Sequence, residues 1–199
     1  MKLNCEDKVL GLRSSVKTLS YFYKMENRII LTSEASAEKL HRMALEVAEQ
    51  LSEDNTELFI IGIEGAGKFG IEGTGKLIAA KVADYLKNYI SSPIKIMSLH
   101  LNKHKPAVIT LSEEINFDDK NILLVDDVSN TGKTLVYALK PFMQFHPKRI
   151  QTLVMVERMH KLFPIKPDYV GYSFATAADD YVKVEEKDGN ISALIVSSN

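Results

Sequence analysis

Cysteine, an excess of one charge and long apolar runs are all scarce in this chain of 199 residues. The single cysteine, Cys5, makes an internal disulfide impossible, excludes a cysteine-rich zinc site and favours a reduced compartment. A formal net charge of -1 gives no global electrostatic reason to bind nucleic acid or an acidic membrane. No apolar run approaches the ~20 residues of a membrane span, and the N-terminus lacks the apolar core of a secretory signal. The composition therefore predicts a soluble, cytoplasmic protein.

Strand-like and helix-like segments alternate along most of the chain. Thr32 and Ser33 are placed to begin a helix whose apolar stripe runs to Leu51. The predicted strands are 58–63, 94–101, 122–125, 150–156 and 169–174, and two further helices are predicted at about 76–90 and 133–139. An Asp-Gly pair between two strand-like runs predicts a hairpin over 181–197. This alternation predicts an α/β fold with a parallel sheet flanked by helices.

A glycine-rich loop, GIEGAGKFGIEGTGK, follows the strand predicted at 58–63. Residues 62–68 and 70–76 both match the start of a nucleotide-binding P-loop, but Phe69 and Leu77 stand where a magnesium-binding hydroxyl is required. A dinucleotide pattern in the same loop lacks its acidic partner at the end of the next strand. A flexible surface turn is the structural alternative. This many glycines leave backbone N–H groups able to face an anion, which favours a phosphate role.

The stretch VDDVSNTGKT, residues 125–134, carries a more specific signal. Two acids, Asp126 and Asp127, precede a loop that consists of Ser129, Asn130, Thr131, Gly132, Lys133 and Thr134. The loop leads into a predicted helix, whose first N–H groups and nearby hydroxyls suit a phosphate monoester. The carboxylates repel phosphate and suit a sugar diol or a metal ion instead. A ribose 5-phosphate that carries pyrophosphate satisfies both halves, whereas an ordinary strand end would leave two adjacent charges without a role.

The same residues resemble the phosphoribosyl pyrophosphate (PRPP) motif of the type I phosphoribosyltransferases, since ILLVDDVSNTGKT has its hydrophobic run, two acids and T-G-x-T loop. The similarity extends roughly over 29–199 and is greatest to the pyrimidine operon attenuator/uracil phosphoribosyltransferase group. It implies transfer of a phosphoribosyl group from PRPP to a nucleobase, with uracil favoured, with magnesium bridging substrate oxygens and with a homo-oligomeric assembly. It also implies one domain over 1–199, with a core at 32–175 and a small hood built from 1–31 and 176–199.

The resemblance assigns roles to individual residues. Asp126 and Asp127 would contact the ribose hydroxyls, and 129–134 would surround the 5-phosphate. Pyrophosphate would bind a glycine loop, and two positions for that loop stay open: Gly65, Gly67 and Lys68, or Gly73, Gly75 and Lys76. The base would contact the Tyr169 ring, the Val170 backbone and Arg158. The alternatives are that Tyr169 belongs to the core and that Arg158 pairs with Glu157.

Two departures separate the chain from the 6-oxopurine enzymes of this family. Asn130 stands where those enzymes carry an aspartate near the base nitrogen, and an amide cannot take a proton at neutral pH. Glu157 stands where they use a lysine to bind the exocyclic oxygen. Both departures argue against hypoxanthine or guanine as the acceptor.

Two other functions and one mobile element are alternatives at this point. A nucleotide-sensing regulator that binds RNA fits the resemblance, although the near-zero net charge offers no basic footprint. A P-loop-like NTPase would hydrolyse ATP in a way that Lys68→Ala abolishes. The segment 100–112, with Lys103, His104 and Lys105, is either a lid that closes over the site or an ordinary solvated loop.

Overall fold

A computed structural model of the chain describes residues 28–65, 74–101, 108–175 and 180–197. The elements in these ranges are, in chain order, β1 (Arg28–Leu31), α1 (Ser33–Leu51), β2 (Leu58–Glu64), α2 (Thr74–Leu86), β3 (Ile94–Leu101), β4 (Ile109–Leu111), β5 (Asn121–Ser129), α3 (Lys133–Ala138), a 3₁₀ turn (Lys140–Phe142), β6 (Arg149–Arg158), β7 (Tyr169–Phe174), β8 (Asp180–Lys187) and β9 (Asn190–Ser197). No helix in the described ranges is long and apolar enough to cross a membrane.

The main sheet has the strand order β4-β3-β2-β5-β6-β7. Its strands are parallel except for β4, which pairs antiparallel with β3. Apolar residues alternate between its two faces, so that Leu123 and Val125 pack towards α1 and α2 while Ile122 and Leu124 pack towards α3. The predicted α/β fold with helices on a parallel sheet is confirmed.

A second, three-stranded sheet is built from the described parts of the terminal segments, in the order β1-β9-β8. The predicted hairpin joins β8 to β9 through Asp188 and Gly189, whose φ angles of 52° and 76° are those of a tight two-residue turn. β1 pairs antiparallel with β9 and is a strand that the sequence pattern did not predict. The described parts of the terminal segments therefore form a small second sheet, and its role as a hood stays a prediction.

Several predicted boundaries were wrong, and the largest error concerns β5. This strand continues through Asp126 and Asp127 to Ser129, because β6 is also long and pairs Ser129 with Glu157. The segment 100–112, expected to be a lid or a solvated loop, contains the edge strand β4. The helix expected at about 76–90 begins and ends earlier, at Thr74–Leu86, and α3 ends one residue early, before the 3₁₀ turn that contains Pro141.

The amino ends of three parallel strands are tied together by Asp54, whose side chain is 11% exposed. Its carboxylate accepts hydrogen bonds from Thr56 N at 2.9 Å and from Asn121 Nδ2 at 3.1 Å. Lys148 Nζ lies 2.9 Å from the same carboxylate. Hydrogen bonds from Thr56, Lys148 and Asn121 hold the pKa of Asp54 well below its ordinary value. Since Asn121 begins β5 and Lys148 precedes β6, this carboxylate links the starts of the central strands.

Replacing Asp54 by asparagine is expected to lower the free energy of unfolding by about 2 kcal/mol at pH 7, because charged hydrogen bonds are lost. The folded-state pKa lies below the ordinary value, so the ionised group stabilises the fold above about pH 4 and this contribution is lost as the pH falls. Urea unfolding of both proteins at a series of pH values tests this. The difference should shrink below about pH 4, and a difference that is absent at pH 7 would contradict the assignment.

Candidate active site

The chemistry-bearing residues meet at the carboxyl edge of the main sheet. Asp126 and Asp127 lie near the carboxyl end of β5, and Glu157 and Arg158 close β6 beside them. Glu64 ends β2 on the other side of β5. In sheets of this kind ligands bind beyond the carboxyl ends of the strands, where the strand order reverses. Here the reversal lies between β2 and β5.

The two aspartates are buried, Asp126 at 1% and Asp127 at 7% exposure. One carboxylate oxygen of each is fixed by a nearby backbone group: Asp127 N donates to Asp126 Oδ1 at 3.0 Å, and Val128 N donates to Asp127 Oδ1 at 2.8 Å. These contacts hold both side chains in place before any ligand arrives. Within the described ranges, no group of three or more His, Cys, Asp or Glu side chains is arranged to hold a metal ion.

The loop predicted to hold the 5-phosphate connects β5 to α3. Its glycine, Gly132, has a φ of 84°, and a Cβ atom there would lie 2.9 Å from Ile165 Cγ2. A side chain would therefore be strained and would clash, so this position requires glycine. Inside the loop, Lys133 N donates to Thr131 Oγ1 at 3.4 Å. Thr134 lies in the first turn of α3.

A connection that follows β6 supports this loop from one side. Leu162 N and Phe163 N both donate to the Thr131 carbonyl, at 3.0 and 3.1 Å. Lys161 Nζ donates to Ser129 Oγ at 2.7 Å and to the Ser129 carbonyl at 3.1 Å. Sequence reasoning missed Lys161, although its position four residues after Glu157 in the VERMHKLFP stretch was the available signal.

Glu157 and Lys161 form a mostly buried ion pair, with Nζ 3.3 Å from Oε1 and side-chain exposures of 8% and 18%. Ser173 Oγ donates to the other carboxylate oxygen of Glu157 at 3.1 Å. Burial lowers the pKa of Lys161, and the negative charge of Glu157 opposes that shift. The residue that stands in place of a base-binding lysine is thus engaged with neighbouring side chains.

The structure describes only parts of the two candidate pyrophosphate loops. Gly65 follows β2, whereas Gly67, Lys68 and Gly73 lie outside the described residues. Gly75 and Lys76 are in the first turn of α2 rather than in a loop.

Gly75 has a packing role that its spacing did not suggest. A Cβ atom on Gly75 would lie 2.3 Å from the Ile63 carbonyl, and one on Gly62 would lie 2.5 Å from Lys76 Cα. The two glycines therefore let α2 approach β2 closely. The Lys76 side chain is 60% exposed, with Nζ 3.9 Å from Glu64 Oε1.

The predicted base-contacting residues are placed around β6 and β7. Arg158 is 6% exposed and its Nη1 donates to Asn130 Oδ1 at 3.0 Å. Tyr169 is 5% exposed and belongs to the core cluster beneath α1, which was the structural alternative for this ring. Arg42 Nη2, on α1, donates to the Val170 carbonyl at 2.6 Å. Contact of these residues with a base stays a prediction.

The proposed lid is only partly described. His100 and Leu101 belong to β3, and Ile109–Leu111 forms β4, which pairs back on β3. Lys103, His104 and Lys105 lie outside the described residues. His100 Nδ1 lies 3.1 Å from Glu64 Oε2, so the start of the segment is anchored at the carboxyl edge of the sheet.

Comparison with known proteins identifies the family of the chain. Residues 27–185 match the phosphoribosyl transferase domain. A protein named "Bifunctional protein PyrR" from Elusimicrobium minutum is 31% identical over 184 residues, which cover 86% of this chain and 98% of that protein. A relative of the same name from Leuconostoc mesenteroides subsp. mesenteroides is 28% identical over 183 residues, with 86% and 99% covered.

Solved structures agree on the fold. A hypoxanthine-guanine phosphoribosyltransferase from Bacillus anthracis superposes with a TM-score of 0.63 at 17% identity, covering 85% of this chain and 99% of that chain. The hypoxanthine phosphoribosyltransferase of Trypanosoma cruzi gives a TM-score of 0.65 at 16% identity, with 86% and 98% covered. At this identity the likeness shows the fold alone. The domain matched over most of the chain and the PyrR relatives show that the chain belongs to the type I phosphoribosyltransferase family and is an enzyme of that class.

Proposed function

We propose that this enzyme transfers the 5-phosphoribosyl group of PRPP to a pyrimidine base, uracil being favoured, and releases pyrophosphate. The observation that carries the proposal is the juxtaposition on β5 of two buried, backbone-fixed carboxylates with the glycine-containing turn that follows them. In this proposal Asp126 and Asp127 accept hydrogen bonds from the ribose hydroxyls. Residues 129–134 bind the 5-phosphate, and the glycine loop after β2 binds pyrophosphate.

The preference for a pyrimidine is supported by two side chains at the base end of the site. Asn130 Oδ1 accepts a hydrogen bond from Arg158, and Asn130 cannot act as a base at neutral pH. Glu157 carries a negative charge where a carbonyl oxygen of a purine would need a donor, and its partners are Lys161 and Ser173. The relatives named PyrR agree with this choice.

Fixed electrostatics is the catalytic contribution expected from these residues. As the bond at C1 breaks, positive charge develops on the sugar and negative charge on the leaving pyrophosphate. Asp126 and Asp127 orient the ribose and lie on the side of the developing positive charge, while N–H groups and a lysine of the glycine loop stabilise the leaving group. Carboxylates are the hard oxygen ligands that magnesium prefers, so Asp126 and Asp127 fit such an ion. Magnesium bound with PRPP would neutralise charge on the pyrophosphate oxygens.

A panel of bases tests the acceptor. The enzyme is incubated with PRPP, magnesium and either uracil, cytosine, hypoxanthine or guanine, and pyrophosphate release is followed. We expect kcat/KM for uracil to exceed that for either purine by at least about 100-fold. A 6-oxopurine would lack the proton acceptor that Asn130 cannot supply and the donor that Glu157 cannot supply, and each missing contact costs about 1–3 kcal/mol. A higher kcat/KM for hypoxanthine or guanine would contradict the pyrimidine assignment.

A second role, that of a nucleotide-sensing regulator that binds RNA, is supported by the word "bifunctional" in the names of the relatives. Its signature would be an RNA affinity that falls steeply with salt, because phosphate contacts release counterions. Titration of a labelled pyrimidine-operon leader RNA at 50 and 200 mM salt, with and without a uridine nucleotide, measures that affinity. Affinity that is indifferent to the nucleotide would contradict a sensing role. Homo-oligomeric assembly is part of this proposal, and sedimentation of the free enzyme tests it.

A further inference from the structure

The ammonium group of Lys161 contacts the backbone of the phosphate loop, residues 129–134. Lys161 Nζ donates to the Ser129 carbonyl at 3.1 Å, to Ser129 Oγ at 2.7 Å and to the Asn130 carbonyl at 3.4 Å. Its counter-charge is Glu157, with Oε1 3.3 Å away. An ammonium group has only three protons to donate, and these four oxygens surround it. The group is therefore committed to the loop and to Glu157.

Three successive carbonyls of the loop, those of residues 129–131, face the connection that carries this lysine. Those of Ser129 and Asn130 accept from Lys161, and that of Thr131 accepts from the backbone N–H groups of Leu162 and Phe163. In a planar trans peptide the C=O of one residue points opposite to the N–H of the next. Three consecutive carbonyls turned to one side therefore present the next three N–H groups on the other side.

Those three N–H groups belong to Asn130, Thr131 and Gly132. A concave row of such groups is a binding surface for anions. Gly132 adapts the chain to this turn through its positive φ of 84°. The orientation of these N–H groups thus depends on the groups that bind the carbonyls. Lys161, more than 30 residues away in sequence, binds two of the three carbonyls.

We propose that Lys161 is a positioning residue for the phosphate loop: by binding the carbonyls of Ser129 and Asn130, it aims the N–H groups of Asn130, Thr131 and Gly132 at the 5-phosphate of the substrate. Glu157 holds the ammonium group in place, and Ser173 of β7 holds Glu157. The chain of contacts joins the phosphate loop to the strands of the base end. This inference rests on the proposed function of the loop.

The test compares Lys161→Met, which removes the charge at similar length, with the matched control Lys166→Met at an exposed position of the same connection. Ribose 5-phosphate is the probe, titrated by calorimetry. We expect its Kd to rise at least about tenfold in Lys161→Met and to change less than about twofold in Lys166→Met, a factor of ten corresponding to about 1.4 kcal/mol. Lys161→Arg, which restores donors and charge, should recover most of the affinity.

Steady-state kinetics separates positioning from general damage. In Lys161→Met the KM for PRPP should rise with the Kd, while the KM for uracil stays within about twofold. In a ¹⁵N-labelled protein, the Gly132 amide resonance should shift on addition of ribose 5-phosphate in the wild type and shift much less in the variant. Equal Kd values in the wild type and Lys161→Met, or a KM for uracil that rises as much as the KM for PRPP, would overturn the inference.

Two further arms keep the outcomes distinct. Should Lys161→Met fail to fold, Glu157→Gln takes its place: a Kd for ribose 5-phosphate at least about threefold higher supports the role of the pair, and an unchanged Kd overturns it. Failure of the wild type itself to bind ribose 5-phosphate would overturn the proposed function of the loop and this inference with it. Binding by the wild type with no effect of Lys161→Met overturns the inference alone.

Discussion

Asp127→Asn is expected to lower kcat/KM for phosphoribosyl transfer by about 100-fold while the protein keeps its fold. A hydrogen bond to a charged acceptor contributes about 1.5–3 kcal/mol, and each 1.4 kcal/mol is a factor of ten. Asparagine retains an oxygen that can accept from Val128 N, the contact that Asp127 makes at 2.8 Å, so the local backbone should not move. Pyrophosphate release with PRPP, magnesium and uracil measures the activity, and thermal unfolding checks the fold.

A matched control for Asp127→Asn is Asp84→Asn, because the Asp84 side chain is 72% exposed on α2 and forms a surface ion pair with Lys87. This control should leave kcat/KM unchanged. Activity of Asp127→Asn equal to that of the wild type would count against contact between this carboxylate and the ribose. A loss of activity that is matched by a loss of folded protein would also contradict the prediction, because the account expects a stable variant.

The second large effect is on stability and concerns Gly75→Ala. The added methyl group would lie 2.3 Å from the Ile63 carbonyl, which is backbone and cannot rotate away. Alanine in a helix is favoured over glycine by about 0.5–1 kcal/mol, but overpacking against a fixed neighbour costs more. We expect the free energy of unfolding to fall by about 2–3 kcal/mol. Urea unfolding followed by circular dichroism measures it.

Gly189→Ala provides the comparison for Gly75→Ala. Gly189 has a φ of 76°, and apart from its chain neighbours no atom of the described residues lies within 4 Å of an added Cβ. Backbone strain is therefore the main cost expected for this substitution. Its expected cost is about 1–2 kcal/mol, the cost of the left-handed conformation for alanine. A Gly75→Ala protein as stable as the wild type would show that α2 and β2 do not need this close approach. In that case the packing role of Gly75 would be lost, and a pyrophosphate contact would be its remaining candidate role.

Strongly patterned elements could be predicted from the sequence. Both Ile94–Leu101 and Tyr169–Phe174 are strands with the predicted bounds, because apolar runs there are set off by prolines or polar residues. Thr32 caps α1 as expected, since its side chain accepts from Ala35 N, a purely local contact. The Asp-Gly turn also formed as predicted, because the turn type is decided by those two residues.

The remaining features depend on contacts between distant segments. β5 runs through Asp126 and Asp127 because β6 offers partners as far as Glu157, and the local sequence of β5 does not contain that information. The short strand β4 exists through its pairing with β3. Likewise, spacing alone suggested a phosphate contact for Gly75, whereas the packing of a helix on a strand explains why glycine is needed there.

In the candidate site, too, local features were predictable from the sequence and long-range contacts were not. The acids and the phosphate loop are contiguous in sequence, so their proximity and chemistry were predictable from one stretch of residues. Lys161 contacts the loop across a separation of 32 residues from Ser129, and Glu157 was noticed for its charge but not for its pairing with Lys161. Support for a loop from a neighbouring connection is a tertiary property that no local pattern signals.

A crystal of the enzyme soaked with ribose 5-phosphate tests the central claim most directly. We predict that the phosphate lies within hydrogen-bonding distance of the N–H groups of the turn formed by 130–133, and that the two ribose hydroxyls lie against Asp126 and Asp127. Electron density for the sugar phosphate at another place, with this turn empty, would contradict the account.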